Sequence, residues 1–404
     1  MSKKGRPDLL IITSSFPRGP GDETCGYIRD FARGLSARFN VTVLAPPDAG
    51  ASEWPEDDFA LTRSASIPPA GLSAFESSRD LNDLPRRGLP VKLASCLSLL
   101  LFVSKALRLA RKADVICSHW LAPSGLTGAL ASMLLGKPHV AVEHSGALHF
   151  LRRARGGPSV ARFIIRHSRR VITVSSDLRD RLIGLCPEAE AKVEVIPMGA
   201  GFRGDPSKPP REAAPGRGGE SPSKTALFIG RLVEIKGVEL LLQALDGMSD
   251  VRLIIAGEGE RRQALEKLAS GMPITVKFLG QVDATERGRL LELSDFMVIP
   301  SLVFADGRSE GTPVVCLESL ATGLPVVASR AGGLAEVITD GYNGLLFDPG
   351  NSGALARAMR RLIDDPKLRE RLSANARATA KEYSWEAIGD RYASAILRAM
   401  GEND

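Results

Sequence analysis

Two carboxylates that lie eight residues apart, Glu310 and Glu318, are the residues of this 404-residue chain whose spacing best suits sugar chemistry. Proline is tolerated in the first turn of a helix and glycine commonly follows the last one, so Pro313 and Gly323 predict a helix between them. Glu318 then lies within the helix and Glu310 in the loop before it. Two such acids can accept hydrogen bonds from two sets of sugar hydroxyls. The alternative is a solvated loop acid and a surface helix acid.

The same stretch contains features that favour an anionic ligand. A short strand is predicted over residues 325–328, followed by Gly332 and Gly333 and by a helix that starts near Leu334. Backbone amides at such a helix start attract anions, for example a diphosphate. Gly311 removes a side chain where a ligand could approach the backbone. The inward face of the first helix is predicted to consist of Leu317, Leu320 and Ala321.

The segment resembles the E-x7-E region of the family 4 retaining glycosyltransferases, and the resemblance extends from Ser14 to the region of Trp385. It implies the α/β GT-B fold, with two Rossmann-like domains facing across a cleft and a C-terminal helix crossing back to the N-terminal domain. In that family the first acid, here Glu310, holds the donor sugar, and the second, here Glu318, holds the ribose of the nucleotide. The resemblance also assigns donor binding to Gly311, Thr312 and Pro313.

Two basic residues follow the strand predicted over residues 226–229, namely Arg231 and Lys236. Cations at a strand end and at a helix start can lie against a diphosphate, although exposed surface charges are the alternative. The resemblance assigns both residues to the diphosphate, where fixed cations stabilise the charge that develops on a leaving group. Since the sequence contains no D-x-D motif, no metal and no other cofactor is expected.

Three further positions are assigned to the donor by the resemblance. Gly26 lies in the first glycine-rich loop, where a glycine lets the chain approach donor phosphate or acceptor. The family often has paired glycines there, whereas Cys25 precedes Gly26 in this chain. Gln281 and Val282 follow a predicted strand and resemble the stretch whose backbone meets the nucleotide base.

Two histidines, His119 and His144, follow strands predicted over residues 114–117 and 139–143. A single histidine at a strand end is more often structural, but two at the carboxyl ends of successive strands favour a site. The resemblance places His144 near the C6 hydroxyl and the reacting carbon of the donor sugar. It matches His119 to a histidine that supports the acceptor cleft.

The pattern of strands, glycine loops and helices predicts doubly wound sheets in two domains. We expect an N-terminal, acceptor-binding Rossmann-like domain over residues 1–203 and a flexible linker, rich in Pro, Gly and charge, over residues 204–224. A nucleotide-sugar-binding Rossmann-like domain is expected over residues 225–384. Residues 385–404 should form the helix that packs back on the first domain.

The cysteines and the apolar runs indicate a cytoplasmic location. Five scattered cysteines without C-x-x-C spacing favour a reduced setting. The longest apolar run, residues 93–103, is shorter than the ~18 residues that a spanning helix needs, so no segment is expected to cross a membrane. The cysteines are Cys25, Cys96, Cys117, Cys186 and Cys316.

The net charge of +6 is placed unevenly, with +8 in residues 1–205 and −2 in the remainder. A run of arginines without any acid contributes to the excess, and Val160, Phe163, Ile164 and His167 predict a helix with an apolar stripe beside it. Such a helix suits an anionic membrane at the inner face of the cell membrane or a phosphate-bearing acceptor; a core-packed helix with a solvated basic face is the alternative. Nucleic acid is disfavoured because no aromatic residues interleave. The arginines are Arg152, Arg153, Arg155, Arg162, Arg166, Arg169 and Arg170.

These features predict a retaining transferase that moves a hexosyl unit from a UDP- or GDP-sugar to a glycan or lipid-linked acceptor in bacterial cell-surface polysaccharide or glycolipid synthesis. The resemblance implies a same-face substitution in which the departing phosphate oxygen takes the acceptor proton. A small soluble acceptor, a GT-B nucleotide-sugar epimerase and a non-catalytic binding subunit remain alternatives. A dinucleotide oxidoreductase is disfavoured because no G-x-G-x-x-G fingerprint is present.

Overall fold

The computed structural model separates into two compact units. Unit 1 consists of Met1–Met198 and Trp385–Asp404, and unit 2 of Gly199–Ser384. The structure describes residues 5–19, 22, 25–48, 50–52, 54, 58–66, 73, 88–144, 146–200, 223–305 and 307–401. Almost all of the linker predicted over residues 204–224 lies outside the described residues, as does Asp306 in the loop before Glu310.

The described part of unit 1 is built on a sheet of seven parallel strands in the order β3-β2-β1-β4-β5-β6-β7. Strands such as β1 are apolar almost throughout, because helices cover both faces of a parallel sheet. The strands are β1 Asp8–Thr13, β2 Asn40–Ala45, β3 Ala60–Arg63, β4 Val115–His119, β5 His139–Glu143, β6 Arg170–Thr173 and β7 Val193–Val195.

Helices flank this sheet. Helix α1 packs against α14, and α3 packs against both α2 and α5. The helices are α1 Gly26–Leu35, α2 Leu89–Ala110, α3 Leu126–Leu135, α4 Gly146–Arg153, α5 Gly157–Arg166, α6 Ser176–Leu185 and, from the end of the chain, α14 Trp385–Met400.

The described part of unit 2 has six parallel strands in the order β10-β9-β8-β11-β12-β13. Its strands are β8 Lys224–Ile229, β9 Val251–Ala256, β10 Val276–Gly280, β11 Phe296–Ile299, β12 Val326–Ser329 and β13 Gly344–Phe347. Its helices are α7 Val238–Leu245, α8 Arg262–Ala269, α9 Ala284–Leu293, α10 Val314–Thr322, α11 Leu334–Val337, α12 Ser352–Asp364 and α13 Pro366–Ala380. The predicted pair of Rossmann-like α/β units is therefore confirmed.

The structure corrects three local predictions. Strand β3 was not predicted, because its four residues are too few to give a clear sequence pattern. Helix α1 begins at Gly26, so the glycine-rich loop is shorter than expected. The basic stretch forms two helices, α4 and α5, and α5 ends before His167. It packs through Ala161, Ile164 and Ile165 and leaves its arginines outside, as a core-packed helix would.

Helix α2 covers 22 residues, twice the length of the apolar run at residues 93–103. By length and composition alone it could cross a membrane, so the shortness of that run does not decide the question, and the expectation that no segment crosses a membrane stays a prediction. About a third of its apolar stretch is buried in unit 1. Phe102, Ala106 and Ala110 are fully buried against the sheet residues Leu10, Ile12 and Ile116.

Helix α14 completes the core of unit 1, although it follows unit 2 in the chain. The buried Tyr392 hydroxyl donates to the carbonyl oxygen of Ile196 at 2.9 Å. The Tyr392 ring meets the ring of Phe31 edge to face, with centroids 4.9 Å apart. At the surface Asp390 pairs with Arg38 at 2.8 Å. Apolar contact and the buried hydrogen bond from Tyr392 to Ile196 thus help to hold the helix in place.

We expect Tyr392→Phe to lower the stability of unit 1 by about 1–3 kcal/mol, because the buried Ile196 carbonyl oxygen would lose its side-chain donor. Urea unfolding should show a lower midpoint. Tyr342→Phe is the matched control, since the Tyr342 side chain is 48% exposed and its loss of a hydroxyl should change stability by no more than about 0.5 kcal/mol. Equal midpoints for both variants would contradict the expectation.

Candidate active site

In unit 2, Lys236 and Glu310 form an ion pair near the carboxyl ends of β8 and β11. Lys236 ends a short turn after β8, and Gly237 follows it with a φ of +67°. A Cβ at Gly237 would lie 2.0 Å from the carbonyl oxygen of Pro300, so only glycine lets this turn pack on the end of β11. The Lys236 and Glu310 side chains are only 17% and 14% exposed.

Ser301, which the sequence did not identify, holds the other oxygen of Glu310. Its hydroxyl donates to Glu310 Oε2, while the Lys236 ammonium contacts Oε1. The carbonyl oxygen of Ser301 accepts from the Ser329 hydroxyl at 2.6 Å, at the end of β12. Both carboxylate oxygens of Glu310 therefore have a fixed partner. Its place just beyond a buried strand was the signal that could have identified Ser301.

Gly332 fixes the backbone of Glu310. Its φ is +51°, and a Cβ there would lie 1.8 Å from the carbonyl oxygen of Glu310. Any side chain would therefore push the Glu310 loop away, in addition to straining the left-handed backbone of Gly332.

We expect Gly332→Ala to displace Glu310 and to lower the melting temperature more than Gly341→Ala does. Gly341 is a matched control, because its φ is +75° but a Cβ there would meet nothing within 4 Å. The control should cost about 1–2 kcal/mol for its backbone conformation alone. Thermal unfolding of both variants measures the difference, and equal losses would show that the contact with Glu310 constrains nothing.

Glu318 lies in α10, where the sequence placed it. Pro313 immediately precedes this helix instead of lying in its first turn, and Gly323, with a φ of +73°, follows its last residue. The Glu318 carboxylate pairs with Arg287 of α9 at 3.1 Å, and both side chains are largely buried. No sequence pattern pointed to Arg287, because the contact arises only when α9 and α10 pack together.

The other predicted donor residues of unit 2 lie in loops. Arg231 is exposed just after β8, and within the described parts of the chain its guanidinium makes no ion pair. Gln281 and Val282 follow β10, with Gln281 exposed and Val282 packed against the core. Gly311 and Thr312 connect Glu310 to α10.

The helix predicted near Leu334 exists but is short. Helix α11, Leu334–Val337, has four residues, which is one turn. A single turn of peptide units has only a small dipole. The anion site expected at this helix start stays a prediction.

In unit 1, His119 and His144 contact each other at the carboxyl ends of β4 and β5. His119 Nδ1 lies 2.9 Å from His144 Nε2. His119 Nε2 is buried and has no hydrogen-bond partner among the described residues. An unpaired N–H would be costly there, so the better arrangement has His119 Nδ1 donate to His144 Nε2. His144 then carries its proton on Nδ1.

Both rings are held in the neutral form. Burial lowers the pKa of His144 to about 3. Burial and, to a smaller extent, the neighbouring His144 lower the pKa of His119 well below 6.5. A neutral His144 can donate from Nδ1 to an oxygen but carries no charge near neutral pH.

Glu143, read from the sequence only as a strand end, organises the segments that follow β4 and β5. Its buried carboxylate accepts the backbone N–H of Leu121 at 2.9 Å and that of Leu148 at 3.1 Å. These two amides anchor both segments to one side chain. Glu143 thereby sets the backbone that carries His144.

The residue before Gly26 has an unusual backbone conformation. Cys25 directly precedes α1 and has a φ of +55°, a left-handed conformation that glycine adopts more easily. Gly26 is the first residue of α1.

His139, by contrast, is structural. Its Nε2 lies 2.8 Å from the Ser118 hydroxyl and its Nδ1 lies 3.0 Å from the Ser168 hydroxyl. Burial lowers the pKa of His139 to about 3. Both ring nitrogens are therefore satisfied within the core.

We expect the stability of unit 1 to fall as the pH decreases below 6.5. An unfolded histidine binds a proton near pH 6.5, whereas folded His139 does so only near pH 3, so the unfolded state binds more protons between these values. His139 alone should account for about 2 kcal/mol of loss between pH 7 and pH 5. Urea unfolding of wild type and His139→Gln at both pH values measures this.

The variant should lose less stability than wild type over that interval, whatever its stability at pH 7. If both proteins lost the same amount, His139 would not be held neutral in the folded state.

Comparisons with known proteins identify the family. The model described as Glycosyltransferase Family 4 matches residues 26–200, and the model described as Glycosyl transferases group 1 matches residues 211–379. An uncharacterized glycosyltransferase of Methanocaldococcus jannaschii is 32% identical over 305 residues, which cover 72% of this chain and 76% of that protein. The chain belongs to the group 1 glycosyltransferases. It is a glycosyltransferase enzyme, and the family resemblance noted from the E-x7-E segment is confirmed.

Other proteins match shorter parts of the chain or the fold alone. Phosphatidyl-myo-inositol mannosyltransferase of Mycobacterium leprae is 37% identical over 180 residues, or 43% of this chain and 46% of that protein. The structure of Anabaena HepE in complex with UDP and glucose superposes with a TM-score of 0.72 at 21% identity, covering 97% of this chain and all of that one. Sucrose-phosphate synthase of Thermosynechococcus elongatus gives 0.74 at 19% identity, over 98% of this chain and 99% of that one.

Proposed function

We propose that this glycosyltransferase moves a hexosyl unit from a UDP- or GDP-sugar to a hydroxyl of a glycan or lipid-linked acceptor, with retention of anomeric configuration. The observation that carries the proposal is the group of Lys236, Glu310 and Ser301 at the carboxyl ends of the strands of unit 2. Ligands of doubly wound sheets bind at this edge. The group offers a cation for phosphate and a carboxylate for sugar hydroxyls.

When the donor binds, its diphosphate replaces Glu310 as the partner of Lys236. The exposed Arg231 also contacts the diphosphate. Two cations then neutralise the leaving group as the bond to the sugar breaks. Glu310, held by Ser301, accepts hydrogen bonds from the sugar, and Glu318, held by Arg287, accepts from the ribose hydroxyls. His144 aligns the sugar as a neutral donor. The departing phosphate oxygen takes the acceptor proton, so no side chain is needed as general base.

Known relatives support a nucleotide-sugar donor. Anabaena HepE, which shares the fold, was crystallised with UDP and with UDP-glucose. Within the described residues no three His, Cys, Asp or Glu side chains come together as a metal site, and metal-independent transfer stays a prediction. The proposed contacts need no metal because Lys236 and Arg231 supply the positive charge.

For the acceptor we propose a glycan or lipid-linked molecule at the inner face of a bacterial membrane, reached by a cytoplasmic, peripherally bound protein. The arginines of residues 152–170 are exposed except for Arg170, which begins β6. Arg162 pairs with Glu188 only at 3.7 Å, across a solvent-exposed contact. The remaining arginines can meet anionic headgroups or acceptor phosphates. Some relatives act on lipids by name, among them the phosphatidyl-myo-inositol mannosyltransferase.

The test is thermal stabilisation by UDP, GDP, ADP and their sugars. We expect one nucleotide to raise the melting temperature of wild type, because binding to the folded state stabilises it. Glu318→Ala should lower the affinity for that nucleotide at least about tenfold, since a charged acceptor of ribose hydrogen bonds is lost. Glu370→Ala, which removes an exposed glutamate of α13, is the matched control and should bind as wild type does.

The absence of a shift with any nucleotide at millimolar concentration would contradict the donor site. Incubation of the binding nucleotide sugar without acceptor separates the alternatives. A transferase should leave the sugar nucleotide largely intact until an acceptor hydroxyl is added, whereas an epimerase would convert it alone. A binding subunit would show stabilisation but no turnover with any acceptor.

A further inference from the structure

Helix α2 exposes a row of large apolar side chains on one side, which we call the leucine face. Its residues are spaced by four, four and three positions, so they lie on a single side of the helix. The members, with their exposed fractions, are Leu89 (67%), Leu93 (61%), Leu97 (49%) and Leu100 (65%). The other side of α2 is buried against the sheet.

A surface helix normally places polar residues opposite its buried side. Helix α2 does not, because it is apolar on both sides and only about a third of its apolar stretch is buried in unit 1. Large exposed apolar patches mark sites of protein or membrane contact. The leucine face therefore indicates contact with an apolar partner.

The charges of helix α2 itself identify that partner. The helix contains no acidic residue, and its basic side chains include Lys92, next to Leu93 in the chain, and the exposed Arg108. Apolar groups beside cations complement a lipid surface with anionic headgroups.

The direction of α2 relates the leucine face to the histidine pair. Helix α2 is followed in the chain by β4, a strand parallel to its neighbours, so the helix runs antiparallel to the strands. Its first residues therefore lie at the carboxyl edge of the sheet. His119 and His144 lie at this same edge. The leucines occupy the first half of α2, next to that edge.

We propose that the leucine face of α2 inserts into the headgroup boundary of an anionic bilayer and so holds the carboxyl edge of the unit 1 sheet at the membrane. This inference rests on the proposed membrane location of the acceptor. It adds the protein surface that would contact the membrane. The basic residues of α2 and the exposed arginines of residues 152–169 attract the headgroups, whereas the leucines supply the part of the affinity that salt does not screen. Each leucine should contribute about tenfold to the affinity.

The test is flotation with vesicles of phosphatidylglycerol and phosphatidylcholine, and with phosphatidylcholine alone, in the absence of nucleotide. Wild type should bind the anionic vesicles and keep measurable binding at high salt. Leu93→Gln with Leu97→Gln should bind at least about tenfold more weakly. Leu268→Gln with Leu293→Gln is the matched control, because these leucines are 53% and 52% exposed in unit 2 and should not affect binding.

Three results would overturn the proposal. Wild type without vesicle binding, or with binding that high salt abolishes, would exclude insertion. Equal binding by the leucine-face variant would leave the arginines as the whole attachment. A wild-type dimer that the leucine-face variant converts to a monomer, without change in vesicle binding, would identify a second copy as the partner. Nucleotide stabilisation of the same variant shows that it is folded and tests the donor site separately.

Discussion

Parallel pairing brings the carboxyl ends of all strands in a sheet to one edge. The polar group of unit 2, around Lys236, and the histidine pair of unit 1 both depend on it. In unit 2, Lys236 follows β8 and Ser301 follows β11, and the two strands are neighbours in the sheet although far apart in the chain. In unit 1, His119 ends β4 and His144 follows its neighbour β5. Side chains that meet at these edges need no long loops to reach one another, so buried strands can hold them rigidly.

The two groups hold polar atoms away from water in different ways. Lys236 and Glu310 pair with each other, which offsets part of the cost of removing each side chain from solvent. His119 and His144 remain uncharged and share one hydrogen bond. A charged ligand can replace one member of the Lys236–Glu310 pair, whereas the two histidines offer a ligand only a dipole and a fixed shape.

Many positions of the site could be predicted from the sequence because the signals that mark strand and helix ends are local. Proline and glycine on either side of α10, and apolar strands before each histidine, depend only on neighbouring residues. The supporting partners were not readable: Ser301, Arg287 and Glu143 act through contacts that exist only once strands and helices are arranged. Strand β3 was missed for a related reason, because its pairing with β2 defines it.

Helix α14 has a consequence for how the chain folds during synthesis. The ribosome releases residues 1–198 first, yet the side of unit 1 formed by Phe31 and His119 is covered by a helix that emerges only after the whole of unit 2. Until then an apolar groove in unit 1 stays open to water, and to any chaperone that binds such surfaces. Unit 2 can therefore finish folding before the unit that precedes it. The synthesis of α14 therefore determines when the first half of the protein becomes stable.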